Sequence, residues 1–330
     1  ISQVTKRERR FLDDTNIREI KNNLIISSFG FKLLSDVKNL NSFSSEEYCI
    51  PNIHDIKDGT LIYIHSSSLK YFSDKYLKKI DCTFSLICGD SDLCFDEITL
   101  KQSHMKRLLQ SENVKSIYCQ NLNVHHPKLN FLPIGLNYHS IYERFGFWGE
   151  SLNPDEQEKN IIRISSYNFK EKILKAYCNW HFNAQRGDRA DCIKKVNKEI
   201  CFFEKTKVLR GASYMNNSKY AFTLCPSGEG YDCHRTYESI ILGSIPIMKK
   251  SVFSSYLKNL PIVEINCWRD LNRELLKEKL NEIQKKTFNF SLITNQYWSC
   301  RFNNLKINST EISFSEFLKN LKSQRLGIKA

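Results

Sequence analysis

The stretch that decides the fold lies late in the chain: Cys225-Pro226-Ser227-Gly228-Glu229-Gly230-Tyr231-Asp232-Cys233-His234-Arg235-Thr236-Tyr237-Glu238. Before it, an apolar run at residues 220–225 predicts a buried strand. After it, an amphipathic run at residues 235–242 predicts a helix that ends at Gly243, and residues 245–248 predict another strand. The order strand, glycine loop, helix, strand is typical of an α/β protein with a parallel sheet.

The glycine loop has the chemistry of an anion-binding site. Ser227, Gly228 and Gly230 leave backbone N–H groups free at the start of a helix, where the helix dipole favours a phosphate. Arg235 adds a planar cation suited to phosphate oxygens, and Glu238 lies one turn later, where a carboxylate accepts the hydroxyls of a ribose. The segment therefore predicts a nucleoside-diphosphate site. The alternative is a plain turn followed by a solvated Arg–Glu ion pair.

The same segment resembles the C-terminal motif of exostosin-like glycosyltransferases, in particular the small viral or microbial kind. A strand ending in Cys-Pro, a glycine turn, His-Arg, a Glu three residues on and Leu-Gly-x-Ile-Pro-Ile follow one another at residues 220–248. Looser resemblance extends through residues 89–92, 120–121, 132–138 and 179–189. The resemblance implies a GT-B fold, in which two Rossmann-like βα domains face a central cleft. It also implies inverting, metal-independent sugar transfer from a UDP-sugar, with UDP-xylose as one candidate, to a glycan hydroxyl, without a cofactor.

The resemblance implies further donor-binding residues around the loop. Arg189, which opens a predicted helix, and Arg186 match a second basic position of the family. Position in the glycine loop, rather than the resemblance, makes Asp232 and Glu229 candidates for contact with sugar hydroxyls and His234 a candidate for contact with the phosphates or the acceptor. Each residue also fits a structural role, because loop arginines are often surface charges and loop carboxylates often shape turns.

Candidate catalytic bases lie in the first half of the chain. An inverting enzyme needs a group that removes the proton of the acceptor hydroxyl. Asp90 and Asp92 follow a predicted strand at its carboxyl end, and His65 ends the preceding strand as an alternative base. Capping of the turn and of the next helix is the competing role for these aspartates. Asp-x-Asp is also how GT-A glycosyltransferases hold Mn²⁺ or Mg²⁺. The glycine loop, Arg235 and Glu238 lie in a second βα half, which a metal-dependent GT-A enzyme would not need. We therefore expect a site that works without a metal.

The strand and helix patterns predict two domains, an acceptor-side domain at residues 1–150 and a nucleotide-sugar domain at residues 151–330. The polar residues 151–160 lack apolar periodicity and predict the linker between them. Other strands are predicted at residues 61–65, 82–88, 114–119, 131–134, 172–180, 200–203 and 261–265.

Composition narrows the partners of the chain. Its 330 residues carry 49 Lys and Arg against 36 Asp and Glu, a net charge of +13 that suits anionic ligands. A nucleic-acid motif is absent, so we expect a nucleotide-sugar donor and a glycan or glycoprotein acceptor, with no nucleic acid and no membrane span. The chain begins with Ile1, and we expect a cytoplasmic location, or the Golgi or ER lumen if an upstream anchor was removed. A nucleotide-sugar or glycan-binding protein without catalysis, and nucleic-acid binding by the basic surface, stay open as alternatives.

Overall fold

Two parallel sheets form the framework of the protein. The computed structural model describes residues 12–39, 53–143, 149, 152–307 and 309–328. The first sheet has the order β1-β2-β3-β4, and its strands are β1 (Thr60–His65), β2 (Phe84–Gly89), β3 (Val114–Cys119) and β4 (Leu129–Phe131). The second has the order β6-β5-β7-β8-β9, and its strands are β5 (Ile173–Cys178), β6 (Cys201–Phe203), β7 (Tyr220–Leu224), β8 (Ile245–Lys249) and β9 (Val263–Ile265). The predicted α/β class is confirmed.

Helices cover both sheets and connect their parallel strands. They are α1 (Asp14–Asn22), α2 (Ser28–Leu34), α3 (Leu69–Lys75), α4 (Glu97–Leu100), α5 (Ser103–Gln110), α6 (Tyr138–Glu143), α7 (Pro154–Ile164), α8 (Arg189–Lys195), α9 (Arg210–Asn217), α10 (His234–Leu242), α11 (Val252–Ser255), α12 (Arg273–Lys285), α13 (Asn295–Phe302) and α14 (Phe314–Leu326). Two short strands form a separate antiparallel pair: β10 (Thr287–Phe288) follows α12, and β11 (Ile312–Ser313) precedes α14. None of these helices is long and apolar enough to cross a membrane, which holds for the described residues.

The decisive motif folds as its sequence predicts. β7 is buried along its whole length, the glycine loop follows it, and α10 ends at Gly243, whose φ of +78° is the left-handed conformation that glycine adopts easily. The strand predicted at residues 131–134 is instead Leu129–Phe131. Pro133 has no N–H to donate to a neighbouring strand, so the sheet pairing ends before it.

The predicted linker is wrong for most of its length, because residues 154–164 form α7. This helix begins with Pro154 at its first turn and packs against α1, α6, α9, α10 and α14. Polar residues of α7 are buried: Glu158 is fully buried and Gln157 is 9% exposed. The predicted boundary between residues 150 and 151 lies outside the described residues.

Glu158 explains how such a polar helix becomes a core element. Its carboxylate accepts hydrogen bonds from the backbone N–H groups of Leu24 at 3.1 Å and Ile25 at 2.9 Å, and from the hydroxyl of Tyr138 at 2.8 Å. Nε of Arg325, from α14, lies 2.7 Å from the same carboxylate. Buried charge is tolerated here because it is paired and hydrogen-bonded. The C-terminal helix α14 is thereby joined to α7 and to the segment before α2.

Candidate active site

Two arginine side chains from different elements meet beside the start of α10. The guanidinium carbon of Arg235 lies 5.6 Å from a ring centroid of Trp180, and that of Arg189 lies 5.8 Å from the indole. The indole is held in place because its Nε1 donates to the backbone oxygen of Leu224 at 2.8 Å. Among the described residues, neither guanidinium lies within 4.0 Å of a carboxylate oxygen. Two cations without a carboxylate beside a helix N-terminus favour a multiply charged anion such as a diphosphate.

The electrostatics of Arg189 show how close these two groups are. Burial, followed by the positive charge of Arg235, lowers the pKa of Arg189 to about 10. Nη1 of Arg189 donates to the backbone oxygen of Asn183 at 3.3 Å, while its buried Nε has no hydrogen-bond partner in the described structure. A bound anion would offset the repulsion and supply the missing acceptor.

Glycines in and near the loop allow backbone segments to approach closely. Gly187 has a φ of +51°, and a Cβ on it would overlap the backbone oxygen of Gly228. A Cβ on Gly230 would overlap the side-chain amide of Asn121, which belongs to the first sheet's half. A Cβ on Gly228 would lie 3.3 Å from Nη2 of Arg189. The glycines therefore let the loop lie against both the segment before α8 and the first half of the chain.

Hydrogen bonds anchor the loop to the carboxyl edge of the first sheet. Oδ2 of Asp232 accepts from the backbone N–H of Ile134 at 2.8 Å, and the N–H of Asp232 donates to Oδ1 of Asn121 at 2.9 Å. Nδ1 of His234 lies 2.8 Å from the backbone oxygen of Gly135, a distance at which its N–H donates. We call these three bonds the loop anchor. Asp232 and His234 thus have structural partners, and their predicted ligand contacts stay predictions.

Glu238 is paired with a neighbour that its sequence position does not reveal. Its Oε1 accepts from Nη1 of Arg210 and from the hydroxyl of Tyr214, each at 2.8 Å. The alternative of a solvated ion pair with Arg235 is therefore wrong, since the partner of Glu238 is an arginine of α9 and its side chain is only 16% exposed. Glu238 also lines a cavity of about 410 Å³ between α7 and α9.

Asp90 directly follows β2 and is held by a histidine that follows the first sheet. Its Oδ1 lies 2.9 Å from Nε2 of His139, whose side chain is 6% exposed against 39% for Asp90. Burial alone would raise the pKa of Asp90, but the charge and hydrogen bond of His139 outweigh it and hold the pKa well below its usual range. The backbone of Asp90 has a φ of +58°, and its N–H donates to Oε1 of Gln120 at 2.9 Å. Asp90 is therefore an ionised carboxylate at a fixed position.

Asp92 and His65 lie near Asp90 but in different surroundings. Burial, and then the negative charge of Glu229, raises the pKa of Asp92, which the charge of Arg186 opposes. Nε of Arg186 lies 3.3 Å from Oε1 of Glu229, and both side chains are exposed. Burial lowers the pKa of His65, whose Nδ1 is 2.7 Å from the hydroxyl of Ser67. The helix cap proposed for Asp92 is wrong, because Asp96 caps the next helix, α4.

The structure brings some of the predicted residues of the two halves into contact. Asp232 and His234 of the glycine loop bond to the edge of the first sheet through the loop anchor, and the carboxylate of Asp92 interacts electrostatically with Glu229 and Arg186 of the second half. Arg235 and Arg189 lie beside Trp180 instead. Sequence reasoning missed the partners that position these groups: His139, Asn121, Trp180, Arg210 and Tyr214. A signal existed for Asn121 and Trp180, which lie within the family-like residues 120–121 and 179–189, and His139 directly follows the family-like residues 132–138. Metal-binding groups of three or more His, Cys, Asp or Glu are absent from the described part of the chain.

The protein is thus an α/β protein in which two arginines lie at a βα junction of the second sheet and two aspartates follow a strand of the first. No protein-family model matches the chain. Over 117 residues it is 31% identical to human ribitol-5-phosphate xylosyltransferase 1, a match that covers 31% of this chain and 26% of the length of that protein. The chain thus has a distant, glycosyltransferase-like relationship over that segment. The N-terminal domain of Candida albicans trehalose-6-phosphate phosphatase aligns with 96% of this chain and 84% of its own, at 13% identity and a TM-score of 0.38.

Proposed function

We propose that this protein is an inverting, metal-independent glycosyltransferase of the exostosin-like GT-B type. Its donor would be a UDP-sugar, with UDP-xylose the first to test, and its acceptor a hydroxyl of a glycan. The observation that carries the proposal is the pair of guanidinium groups on Trp180, from Arg235 and Arg189, without a carboxylate partner among the described residues.

The proposed donor site uses these cations for the leaving group. As the bond from the anomeric carbon to the diphosphate breaks, its electron pair leaves with the phosphate oxygen. Arg235, Arg189 and the N-terminus of α10 would offset that charge, as preorganised dipoles and cations do in other transferases. Glu238 would accept the ribose hydroxyls through Oε2, which has no hydrogen bond among the described residues, while Oε1 stays bonded to Arg210.

Asp90 is the proposed base. The acceptor oxygen attacks the anomeric carbon from the face opposite the diphosphate, and its proton passes to the carboxylate of Asp90. Asp90 is chosen over Asp92 because His139 fixes the position of its carboxylate while the Asp90 side chain stays 39% exposed. His139 holds its other oxygen, so the carboxylate is oriented before the acceptor binds.

Calorimetric titration with UDP, CDP, GDP and ADP in EDTA tests the donor site. The natural protein should bind one nucleoside diphosphate without metal, and Arg235→Ala should weaken binding at least tenfold, the scale of a lost charged hydrogen bond. Arg18→Ala is the matched control, since Arg18 is exposed on α1 and should leave the affinity unchanged.

Other outcomes would replace this proposal. Binding that requires Mn²⁺ and disappears in Asp92→Ala would establish the metal-dependent Asp-x-Asp alternative. Nucleotide binding without any sugar transfer or donor hydrolysis in a panel of UDP-sugars would indicate a binding protein. Failure of every nucleoside diphosphate to bind would refute the glycosyltransferase proposal.

A further inference from the structure

The cavity beside Glu238 has features of a ligand site that the diphosphate chemistry does not explain. It holds about 410 Å³ and lies between α7 and α9, with one wall from the segment that begins α6. Its described lining combines apolar side chains with amides, among them Leu136, Ile161, Leu209, Met215, Gln157 and Asn160. An apolar cavity with a few polar groups suits a flat, partly polar ring.

Gln157 is a buried polar side chain in the wall of this cavity. It is 9% exposed, and its amide nitrogen donates to the backbone oxygens of Tyr138 at 3.0 Å and Leu152 at 2.8 Å. Both amide hydrogens are thereby used, so the orientation of the carboxamide is fixed. Its Oε1 is buried and has no hydrogen-bond partner in the described structure. A buried acceptor without a donor is rare in proteins, and a bound ligand that offers an N–H would satisfy it.

The position of the cavity relates it to the proposed phosphate site. Glu238 lines it, and Arg235 lies three residues earlier on α10, which is about 4.5 Å along the helix axis. A donor whose diphosphate lies at Arg235 and whose ribose lies at Glu238 would direct its base into this cavity.

We infer that this cavity holds the nucleobase of the donor and that Gln157 accepts an N–H of that base. The inference rests on the proposed function and adds to it the residue that would select the base. Uracil, guanine, adenine and cytosine each offer an N–H, but at different positions on the ring. A single fixed acceptor therefore discriminates among them by geometry.

Gly211 offers a way to fill the cavity without disturbing the fold. It lines the cavity, it lies in the first turn of α9, and a Cβ built on it meets nothing within 4 Å. Alanine and phenylalanine are both better helix formers than glycine. Gly211→Phe should therefore occupy the cavity, and Gly211→Ala is its matched control.

The experiment compares binding of the preferred nucleoside diphosphate with binding of inorganic pyrophosphate, which lacks a base. Gly211→Phe should weaken nucleotide binding at least tenfold and much more than Gly211→Ala does, and it should leave pyrophosphate binding unchanged. Gln157→Leu should weaken the preferred nucleotide by about 5- to 100-fold, the range for an unpaired buried polar group, and reduce the preference among the four bases. Melting temperatures of all variants should show that they are folded.

The outcomes separate this inference from the proposed function. If Gly211→Phe leaves nucleotide affinity unchanged, or if it weakens pyrophosphate and nucleotide equally, the base does not lie in this cavity and only the further inference is overturned. If Gln157→Leu keeps both affinity and base preference, the role of Gln157 is overturned. If neither pyrophosphate nor any nucleotide binds the natural protein, the proposed function itself fails, and the inference fails with it.

Discussion

Asp232 provides a stability test of how the glycine loop is anchored. Burial raises the pKa of this carboxyl from 3.8 to about 7, although the Tyr237 hydroxyl at 2.6 Å and the Ile134 N–H at 2.8 Å both donate to its Oδ2. Its Oδ1 is buried and has no hydrogen-bond partner in the described structure. Protonation of that oxygen therefore removes a charge that the site does not fully compensate.

The sign of the pH effect follows from the raised pKa. The folded protein holds the proton of Asp232 more tightly than the unfolded chain does, so this contribution to stability is complete below about pH 4 and is lost as the pH rises through 7. A shift of about three pKa units corresponds to about 4 kcal/mol in all. Integrated from pH 5 to pH 8, the loss is about 2.5 kcal/mol.

Asp232→Asn isolates this contribution, because the amide cannot ionise. The free energy of unfolding is measured by denaturant titration at pH 5, 6.5 and 8 for both proteins. Asparagine places an amide where no partner is available and lowers stability by roughly 1–3 kcal/mol at every pH. The difference between the two proteins should therefore move by about 2.5 kcal/mol in favour of Asp232→Asn between pH 5 and pH 8. Parallel stability curves across this interval would refute the reasoning.

Three further substitutions test other parts of the structure. Arg325→Met leaves the buried carboxylate of Glu158 without its cation and should lower the free energy of unfolding by about 3 kcal/mol. This is the low end of the roughly 3–5 kcal/mol typical of a broken buried ion pair, because three hydrogen-bond donors to Glu158 remain. Gly187→Ala strains a left-handed residue that touches Gly228 and should lower stability by roughly 1–3 kcal/mol while weakening nucleotide binding in calorimetry. Asp90→Asn should reduce kcat about 10²- to 10⁴-fold and leave UDP affinity unchanged.

Each of these results has a control and a contradicting outcome. Adding Glu158→Gln to Arg325→Met should restore part of the lost stability, and no recovery would mean that the charge of Glu158 is not the cause. Gly211→Ala, at an open helical position, should not lower the free energy of unfolding as Gly187→Ala does. A fall in UDP affinity in Asp90→Asn as large as the fall in kcat would place this residue in donor binding rather than in proton transfer.

The sequence predicts the motif well where local signals agree. β7 to β8 follow the expected order because apolar runs, a glycine stop and helical periodicity all indicate the same structure. Helix α7 was missed because its packing surface includes Glu158 and Gln157, which no hydrophobic pattern reveals. Only tertiary partners such as Arg325, far away in sequence, make those polar residues suitable for burial.

The candidate site likewise contains residues that the sequence predicts and residues that only the fold reveals. Arg235 and Glu238 are predicted as donor-site residues from their spacing after the glycine loop, because that spacing is local. The groups that orient them come from distant segments: Arg210 pairs with Glu238, and Trp180 supports Arg235. His139 pairs with Asp90, although the two residues are 49 positions apart in sequence. Spacing along the chain contains no information about such contacts before the fold is known.

The loop anchor makes the two halves thermodynamically dependent on each other. Asp232 and His234 bond to backbone groups at Ile134 and Gly135, so the loop keeps its shape only while the first sheet's edge keeps its own. Coupling free energies are reciprocal, so a ligand that stabilises the loop must also stabilise that edge. Slower amide hydrogen exchange on ligand binding would then extend to residues 114–135, although the bonds that transmit the effect start in the loop of the second half.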